Sequence, residues 1–216
     1  LPDDLAAGRP LAWRNPDRRP AAQALSALPL TADDVRDAHA RWLRWAPLLA
    51  ALFPPLRASA GGIDSPLTRL PEPTARALVG TRPLPLWVKH DHALPLTGSI
   101  KARGGVFEVL WHAEDLALAA GLIAADADRA QLAGDAARRL FAGHRILVGS
   151  TGNLGFSVGL IGRALGFEVD VHMSHDAKAW KKDRLRALGA RVVEHRDDYS
   201  AAVAAARQEA AGRADR

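Results

Sequence analysis

The 216-residue chain is 48% hydrophobic and 25% charged, a balance that is typical of a globular protein with a buried core. It contains no cysteine, which excludes disulfide bonds, a thiolate metal site and a cysteine nucleophile, and which fits a reducing compartment. The net charge of +5 comes mostly from scattered arginines without interleaved aromatic residues, and this pattern disfavours binding to nucleic acid. With neither a signal-peptide pattern nor an apolar run of about 18 residues, the sequence predicts a cytoplasmic protein that does not bind membranes.

The first 80 residues predict an irregular arm followed by one long helix. Residues 1–30 are rich in proline, arginine and alanine and show no period. From Thr31 onward, apolar residues recur at spacings of three and four, and Thr31 and Asp34 can stabilise the helix start. The segment "FPP" ends the helix. Trp42 and Trp45 continue its apolar face, so we expect them in the core rather than in a binding stripe.

From about residue 85, short apolar runs alternate with helical patterns. The predicted strands are "LPLWVKH", "HRILVGS", "FEVDVHM" and "ARVVEH". Helical patterns of ten to sixteen residues separate most of them, and a weaker helix, "DAARRLFAG", precedes "HRILVGS". This alternation predicts an α/β fold, with a parallel sheet and flanking helices joined by right-handed crossovers.

Two of the strand-to-helix turns, "PLTGSIKARGG" and "GSTGN", carry glycine and polar side chains. Ligands of open α/β sheets bind at the carboxyl ends of strands, so we expect both turns to face one crevice. Lys101 falls in the first turn of a helix, where the helix dipole disfavours its charge and favours a neutral amine that can attack an aldehyde. Ser150, Thr151 and Asn153 can bind a carboxylate and a phenolic oxygen. The alternatives are a solvated lysine at position 101 and simple helix capping by the second turn.

Three further patterns have structural explanations. His90, His92, His172 and His175 could suggest a metal set, but neither an HExxH motif nor cysteine accompanies them, and we interpret them as scattered polar residues. The basic segment "KAWKKDRLR" is typical of a solvated helix face. The glycines of "GLIGRALG" lie inside a predicted helix, which is the wrong place for a dinucleotide-binding turn.

Several long blocks resemble a known family. They are "WRNP", "GSIKARGGVFEVLWHAEDLALAAGL", "VGSTGNLGFSVG" and "VHMSHDAKAWKKDRLRALGARVVEHRDDYSAAV". These blocks are similar to the D-serine dehydratases (D-serine ammonia-lyases), which are pyridoxal-phosphate enzymes of fold type II. The Ser-x-Lys and Ser-x-Gly-Asn motifs are shared by the wider superfamily of threonine dehydratases and synthases, whereas the last block is more specific.

The resemblance implies a role for each residue of the two turns. Lys101 would form the Schiff base with pyridoxal 5'-phosphate and act as the catalytic residue, and Asn153 would contact the ring hydroxyl of the cofactor. The substrate carboxylate would be bound by the turn that consists of Ser150, Thr151, Gly152, Asn153 and Leu154. A monovalent cation is a second candidate cofactor. No nucleic acid, membrane or obligate protein partner is implied.

The implied activity is β-elimination of D-serine to pyruvate and ammonia. The alternatives are a threonine or L-serine dehydratase of the same superfamily, or an α/β fragment without catalytic activity. The implied organisation is an arm and helix at 1–80, a strand, turn and helix with the Schiff-base lysine at 81–143, and the first part of the small domain at 144–216.

Two departures from the family pattern affect these expectations. The family usually has "DSHLP" before the lysine turn, whereas this chain has "DHALP", so a family role for that histidine does not transfer directly. The glycine-rich phosphate cradle and the polar partner of the pyridine nitrogen have no counterpart in these 216 residues. We therefore expect an N-terminal portion of a longer protein, and we expect this portion alone to bind the cofactor weakly.

Overall fold

A parallel sheet with helices on both faces forms the carboxyl-terminal part of the chain. The computed structural model describes residues 3–80, 84–196 and 199–212. Its α-helices are α1 (Asp3–Ala6), α2 (Ala21–Ser26), α3 (Ala32–Leu52), α4 (Glu72–Val79), α5 (Lys101–Ala119), α6 (Asp135–Ala142), α7 (Asn153–Leu165), α8 (Ala179–Ala187) and α9 (Tyr199–Ala211). Its strands are β1 (Leu67–Arg69), β2 (Trp87–Lys89), β3 (Arg145–Gly149), β4 (Glu168–Ser174) and β5 (Arg191–His195). The predicted α/β class is confirmed.

The chain divides into two compact units, Leu1–His39 and Ala40–Arg216. The first unit contains α1, α2 and the start of α3. Thr31 and Asp34 form a reciprocal cap there: the Thr31 N–H and hydroxyl both donate to Asp34 Oδ2 at 2.7 Å. These hydrogen bonds hold the pKa of the Asp34 carboxyl below its ordinary value. The predicted start of the long helix is therefore confirmed, whereas the divisions expected at residues 80 and 143 remain predictions.

In the second unit, strands β3, β4 and β5 are parallel neighbours in that order. Their alternation sorts side chains between the two faces of the sheet. Val169 and Val171 lie against α7, where they come close to the glycines of that helix. Asp170 and His172 lie on the opposite face, where α9 contributes Glu209. Helices on both faces explain why β4 is buried at all positions but its first.

The core of this unit joins α3 and α5 to the sheet layers. Trp45 is fully buried, and its ring lies 6.0 Å from that of Trp42 and 5.0 Å from that of Phe107. Such edge-on aromatic pairs contribute about 0.5–1.5 kcal/mol each beyond the area they bury. The prediction that both tryptophans belong to the core is confirmed.

Strand β2 lies in a different sheet from the one that the sequence predicts. It pairs antiparallel with β1 in a separate two-stranded sheet, and it does not join the parallel sheet. A short 3₁₀ helix, Asp91–Ala93, and a turn then lead to α5. An apolar run of this length specifies a strand but not its partner. Helix α4 was not predicted, although Glu72 and Pro73 in its first turn are a typical helix-start signal.

None of the described helices has both the length and the apolar character that crossing a membrane requires.

Candidate functional site

Lys101 is the first residue of α5 and follows a tight turn. The N–H of Gly98 donates to the Leu94 carbonyl at 3.0 Å, and Gly98 has a φ of +61°. Leu96 also adopts a left-handed φ, of +73°, which is unfavourable for a residue with a Cβ. The backbone N–H of Lys101 donates to Ser99 Oγ at 3.1 Å, and the lysine side chain is exposed. Strained backbone at the base of the turn is a feature that accumulates at functional sites.

The second turn, Ser150–Leu154, connects β3 to α7. Ser150 is buried, and its N–H extends the sheet by donating to the His172 carbonyl at 2.8 Å. Its hydroxyl oxygen accepts from the N–H groups of Gly152 at 3.3 Å and Gly155 at 3.0 Å. Ser150 therefore caps α7 from within the turn, which leaves the side chains of Thr151 and Asn153 available for other contacts.

Packing of α5 against α7 brings the starts of both helices together. Ser157 Oγ donates to Thr97 Oγ1 at 3.2 Å, so one turn of α7 is linked directly to the lysine turn. A Cβ added to Gly105 would lie 2.9 Å from Leu154 Cδ1 and 3.3 Å from Ser157 Cβ. The two helices therefore pack tightly where Gly105 has no side chain. This contact places the lysine turn and the Ser150–Leu154 turn at one end of the helix pair.

We expect Gly105→Ala to destabilise the protein and Gly104→Ala to stabilise it. Alanine favours the helix by about 0.5–1 kcal/mol over glycine, and a Cβ at Gly104 would meet no atom within 4 Å. At Gly105 the new methyl group would push against α7, which costs about 1–3 kcal/mol in a packed core. Chemical unfolding of the two variants measures the difference. Equal stability of both would show that α5 and α7 do not need this close approach.

The groups that could hold a ligand lie around this junction. Across residues 3–80, 84–196 and 199–212, the Lys101 amine and the Asn153 amide side chain make no hydrogen bond or ion pair. The backbone N–H groups of Asn153 and Leu154, at the first two positions of α7, likewise have no partner in that part of the chain. A Cβ on Gly152 would meet nothing within 4 Å, so the space over the turn is open. An amine, an amide and two helix-start N–H groups suit an aldehyde, a ring hydroxyl and a carboxylate.

Sequence reasoning missed the residues that join the two turns. Thr97 and Gly105 lie within the predicted turn "PLTGSIKARGG", but no role in joining the two turns was predicted for them, and Ser157 lies outside both turns. Ser157 is completely buried on an otherwise apolar helix face, and a polar residue in such a position was the available signal.

Two of the histidines considered as metal ligands lie beside the antiparallel pair of strands β1 and β2. His90 Nε2 contacts Thr68 Oγ1 at 3.0 Å, and the rings of His90 and His92 meet edge to face at 5.4 Å. Just after β2, hydrogen bonds from Lys89 and Ser65 hold the pKa of Asp91 below its ordinary value. Among the described residues, no group of three or more histidine, aspartate or glutamate side chains is arranged to hold a metal ion.

The remaining patterns have structural roles. In "GLIGRALG", a Cβ on Gly159 would lie 2.3 Å from Leu185 Cδ2, so this glycine lets α8 pack on α7. In "KAWKKDRLR", Lys182 is buried and donates to Glu194 Oε2 at 2.7 Å and to the His175 carbonyl at 2.8 Å. The helix α8 is therefore only partly a solvated basic face.

Comparisons with known proteins identify the family of the chain. The family model described as "Pyridoxal-phosphate dependent enzyme" matches residues 58–214. The chain is 53% identical over 212 residues to the probable D-serine dehydratase of Pseudomonas paraeruginosa, covering 97% of this chain and 47% of that protein. It is 53% identical over 213 residues to the protein of the same name in Chromobacterium violaceum, covering 96% and 47%. The chain thus spans about half the length of these curated relatives.

Solved structures show the same fold. Diaminopropionate ammonia lyase from Escherichia coli, in its apo form, aligns with a TM-score of 0.56 at 20% identity, over 78% of this chain and 42% of that one. The same enzyme in complex with D-serine aligns with a TM-score of 0.56 at 19% identity, over 79% and 40%. The family match covers most of the chain, includes both turns, and confirms the resemblance inferred from the sequence. The chain belongs to the family of pyridoxal-phosphate dependent enzymes.

Proposed function

We propose that the protein catalyses the pyridoxal-phosphate-dependent β-elimination of D-serine to pyruvate and ammonia. The observation that carries the proposal is the junction of α5 and α7, where Lys101 and the Ser150–Leu154 turn lie at the starts of two packed helices. The relatives named as probable D-serine dehydratases support the choice of substrate.

The residues present fit the aldehyde and ring of the cofactor. Lys101 Nζ would bind it covalently, and the Asn153 amide would donate to the ring hydroxyl. When bound, pyridoxal phosphate supplies an electron-accepting ring that stabilises negative charge on the Cα of an amino acid.

The substrate would be oriented by the second turn. Its carboxylate would accept hydrogen bonds from the N–H groups of Asn153 and Leu154, which have no partner within the described residues and lie at the positive end of the α7 dipole. Ser150 would hold the turn in shape by accepting from Gly152 and Gly155, and its hydroxyl hydrogen would be free to donate to the carboxylate. Fixing the carboxylate selects which bond to Cα is cleaved.

Lys101 would then move the proton. With Nζ free, its neutral amine would accept the proton from Cα and would then donate it to the departing β-hydroxyl, which would leave as water. The three-carbon enamine that remains tautomerises to an imine, and water hydrolyses this to pyruvate and ammonia. The overall reaction is redox neutral and needs no other reactant.

Activity measurements on the whole protein test the proposal. We expect pyruvate from D-serine, and little or no keto acid from L-serine (pyruvate) or L-threonine (2-oxobutanoate). Faster turnover of L-serine or L-threonine would replace the proposal with another dehydratase of the same superfamily. If none of the three yields a keto acid while the cofactor is bound, the proposed elimination is wrong.

We expect Asn153→Ala to change the absorption spectrum of the bound cofactor and to lower turnover without lowering stability. The Asn153 amide makes no hydrogen bond within the described residues, and the cap of α7 is provided by Ser150, so its loss removes no structural contact. Losing one hydrogen bond to the cofactor costs about 0.5–1.5 kcal/mol. Absorption titration measures the effect of the change on the bound cofactor, and thermal unfolding measures its effect on stability. An unchanged spectrum with a lower melting temperature would show that Asn153 is structural.

A further inference from the structure

His172, which is buried, and His195, which is half-buried, form a pair on the face of the sheet that carries α9. Nδ1 of His172 lies 3.0 Å from Nε2 of His195, and the two rings are nearly parallel with their centroids 5.2 Å apart. His172 is only 2% exposed. On its other side, Nε2 lies 3.3 Å from Glu209 Oε2 of α9 but makes no well-aligned hydrogen bond within the described residues.

Charged groups surround the pair from every neighbouring element. Asp170 of β4 accepts from Arg145 of β3 at 3.0 Å and from Arg191 of β5 at 2.6 Å. Arg191 also donates to Glu209 at 2.6 Å. Arg145 also pairs with Glu168 of β4, so two arginines and three carboxylates lie around the histidine pair.

The geometry of the pair limits how much positive charge it can carry. When the pair carries no positive charge or a single one, only one of the two facing nitrogens needs to carry a hydrogen, so one nitrogen donates and the other accepts. With two charges, both nitrogens carry hydrogen and repel each other at 3.0 Å. Burial lowers the pKa of His172, an effect that Glu209 opposes and that His195 and Arg191 reinforce. Because the pKa of His172 is lower in the folded state, the stability that neutral His172 contributes is fully present above about pH 6.5 and is lost as the pH falls below that value.

The backbone connects this pair to the functional turn. The His172 carbonyl accepts from the N–H of Ser150, the residue that caps α7. The His195 carbonyl accepts from the N–H of His175 at 2.8 Å, so the second histidine fixes the residue that follows β4. Separation of the two rings would shift β4 against β5 at their carboxyl ends, next to Ser150.

We propose that the His172–His195 pair positions the Ser150–Leu154 turn and that it releases the turn when both imidazoles become protonated. The two histidines are positioning residues, because they act on the turn through the backbone of Ser150. The proposal rests on the proposed function only in taking this turn as the substrate-binding one.

Amide hydrogen exchange of the protein tests the proposal without any measurement of activity. The reporters are the N–H groups of Gly152 and Gly155, which donate to Ser150 Oγ, and the N–H of Gly166 at the far end of α7 serves as internal reference. After correction for intrinsic rates, we expect protection of Gly152 and Gly155 relative to Gly166 to fall about tenfold between roughly pH 7.5 and pH 5.5.

Two variants complete the experiment. In His195→Gln an uncharged amide, which can donate or accept, takes the place of Nε2, so we expect protection to change less than about threefold over that range. His39 is exposed, and His39→Gln should show the same fall in protection as the unmodified protein. Constant protection in the unmodified protein, or an undiminished fall in His195→Gln, would overturn the proposal. Because the first of these outcomes needs no variant, the proposal can fail even if His195→Gln does not fold. Exchange that depends on pH as expected, in a protein without activity toward D-serine, would contradict the proposed function alone.

Discussion

Lys101→Arg is expected to abolish covalent attachment of pyridoxal phosphate and to lower turnover by at least about 10²–10⁴-fold, the usual contribution of a positioned general base. Arginine keeps the positive charge, but its guanidinium does not form the covalent bond to the aldehyde and does not lose its proton near neutral pH. Lys101 is exposed at the helix start, so the fold should be unaffected. Borohydride reduction followed by mass spectrometry of peptides locates the attached cofactor.

Lys178→Arg is the matched control for this experiment. Lys178 is also exposed and immediately precedes a helix, α8, and it lines the same open cavity as Thr151, so it tests whether any exposed lysine beside the turn can take the cofactor. Its replacement should leave attachment and turnover unchanged. Cofactor found on Lys89 or Lys178, or attachment that persists in Lys101→Arg, would show that the assignment of Lys101 is wrong.

Glu114→Ala is expected to destabilise the protein by about 3–5 kcal/mol, as loss of one partner of a buried ion pair does. The Glu114 side chain is 2% exposed and lies on α5, with Arg44 Nε at 2.8 Å and Arg129 Nε at 2.5 Å. Arg129 is itself buried, so removal of the carboxylate leaves a guanidinium charge without its counter-charge. A loss of about 3 kcal/mol corresponds to a fall of roughly 6–12 °C in melting temperature.

Glu108→Ala on the same helix is the control, because Glu108 is exposed. It should change stability by less than about 0.5 kcal/mol. Similar losses in the two variants would mean that the Glu114 cluster contributes nothing specific.

The same cluster predicts how stability depends on pH. Burial raises the pKa of Glu114, but hydrogen bonds from Arg44 and Arg129 outweigh it and hold the pKa below its ordinary value. Stability from Glu114 is therefore present above the unfolded-state pKa and is lost as the pH falls through the folded-state value. Glu114→Ala should remove part of the acid sensitivity that the unmodified protein shows in pH-dependent unfolding.

Local signals in the sequence were sufficient for the carboxyl-terminal elements. Each predicted strand from "HRILVGS" onward forms, and the helices between them begin and end close to the predicted residues. Apolar periodicity, glycines at helix ends and the Thr31–Asp34 cap are all short-range features, so they can be identified without knowing what packs against them.

The partner of β2 could not be predicted in this way. The segment "LPLWVKH" indicates a strand, but its pairing with β1 depends on Leu67–Arg69, a three-residue segment with no strand pattern of its own. Strand pairing is a long-range choice that sheet packing decides.

The sequence by itself determined the α/β class, the two glycine-bearing turns and the family, because these depend on local periodicity and on motifs read directly from the residues. The tertiary structure alone decided how the turns meet and what holds them. The absence of a side chain at Gly105 lets α5 approach α7, and the N–H of Ser150 donates to the carbonyl of His172 on the neighbouring strand. The His172–His195 pair lies beneath that turn because register brings together residues 23 positions apart. Each of these contacts joins distant parts of the chain, and their geometry is fixed only when the helices pack on the sheet.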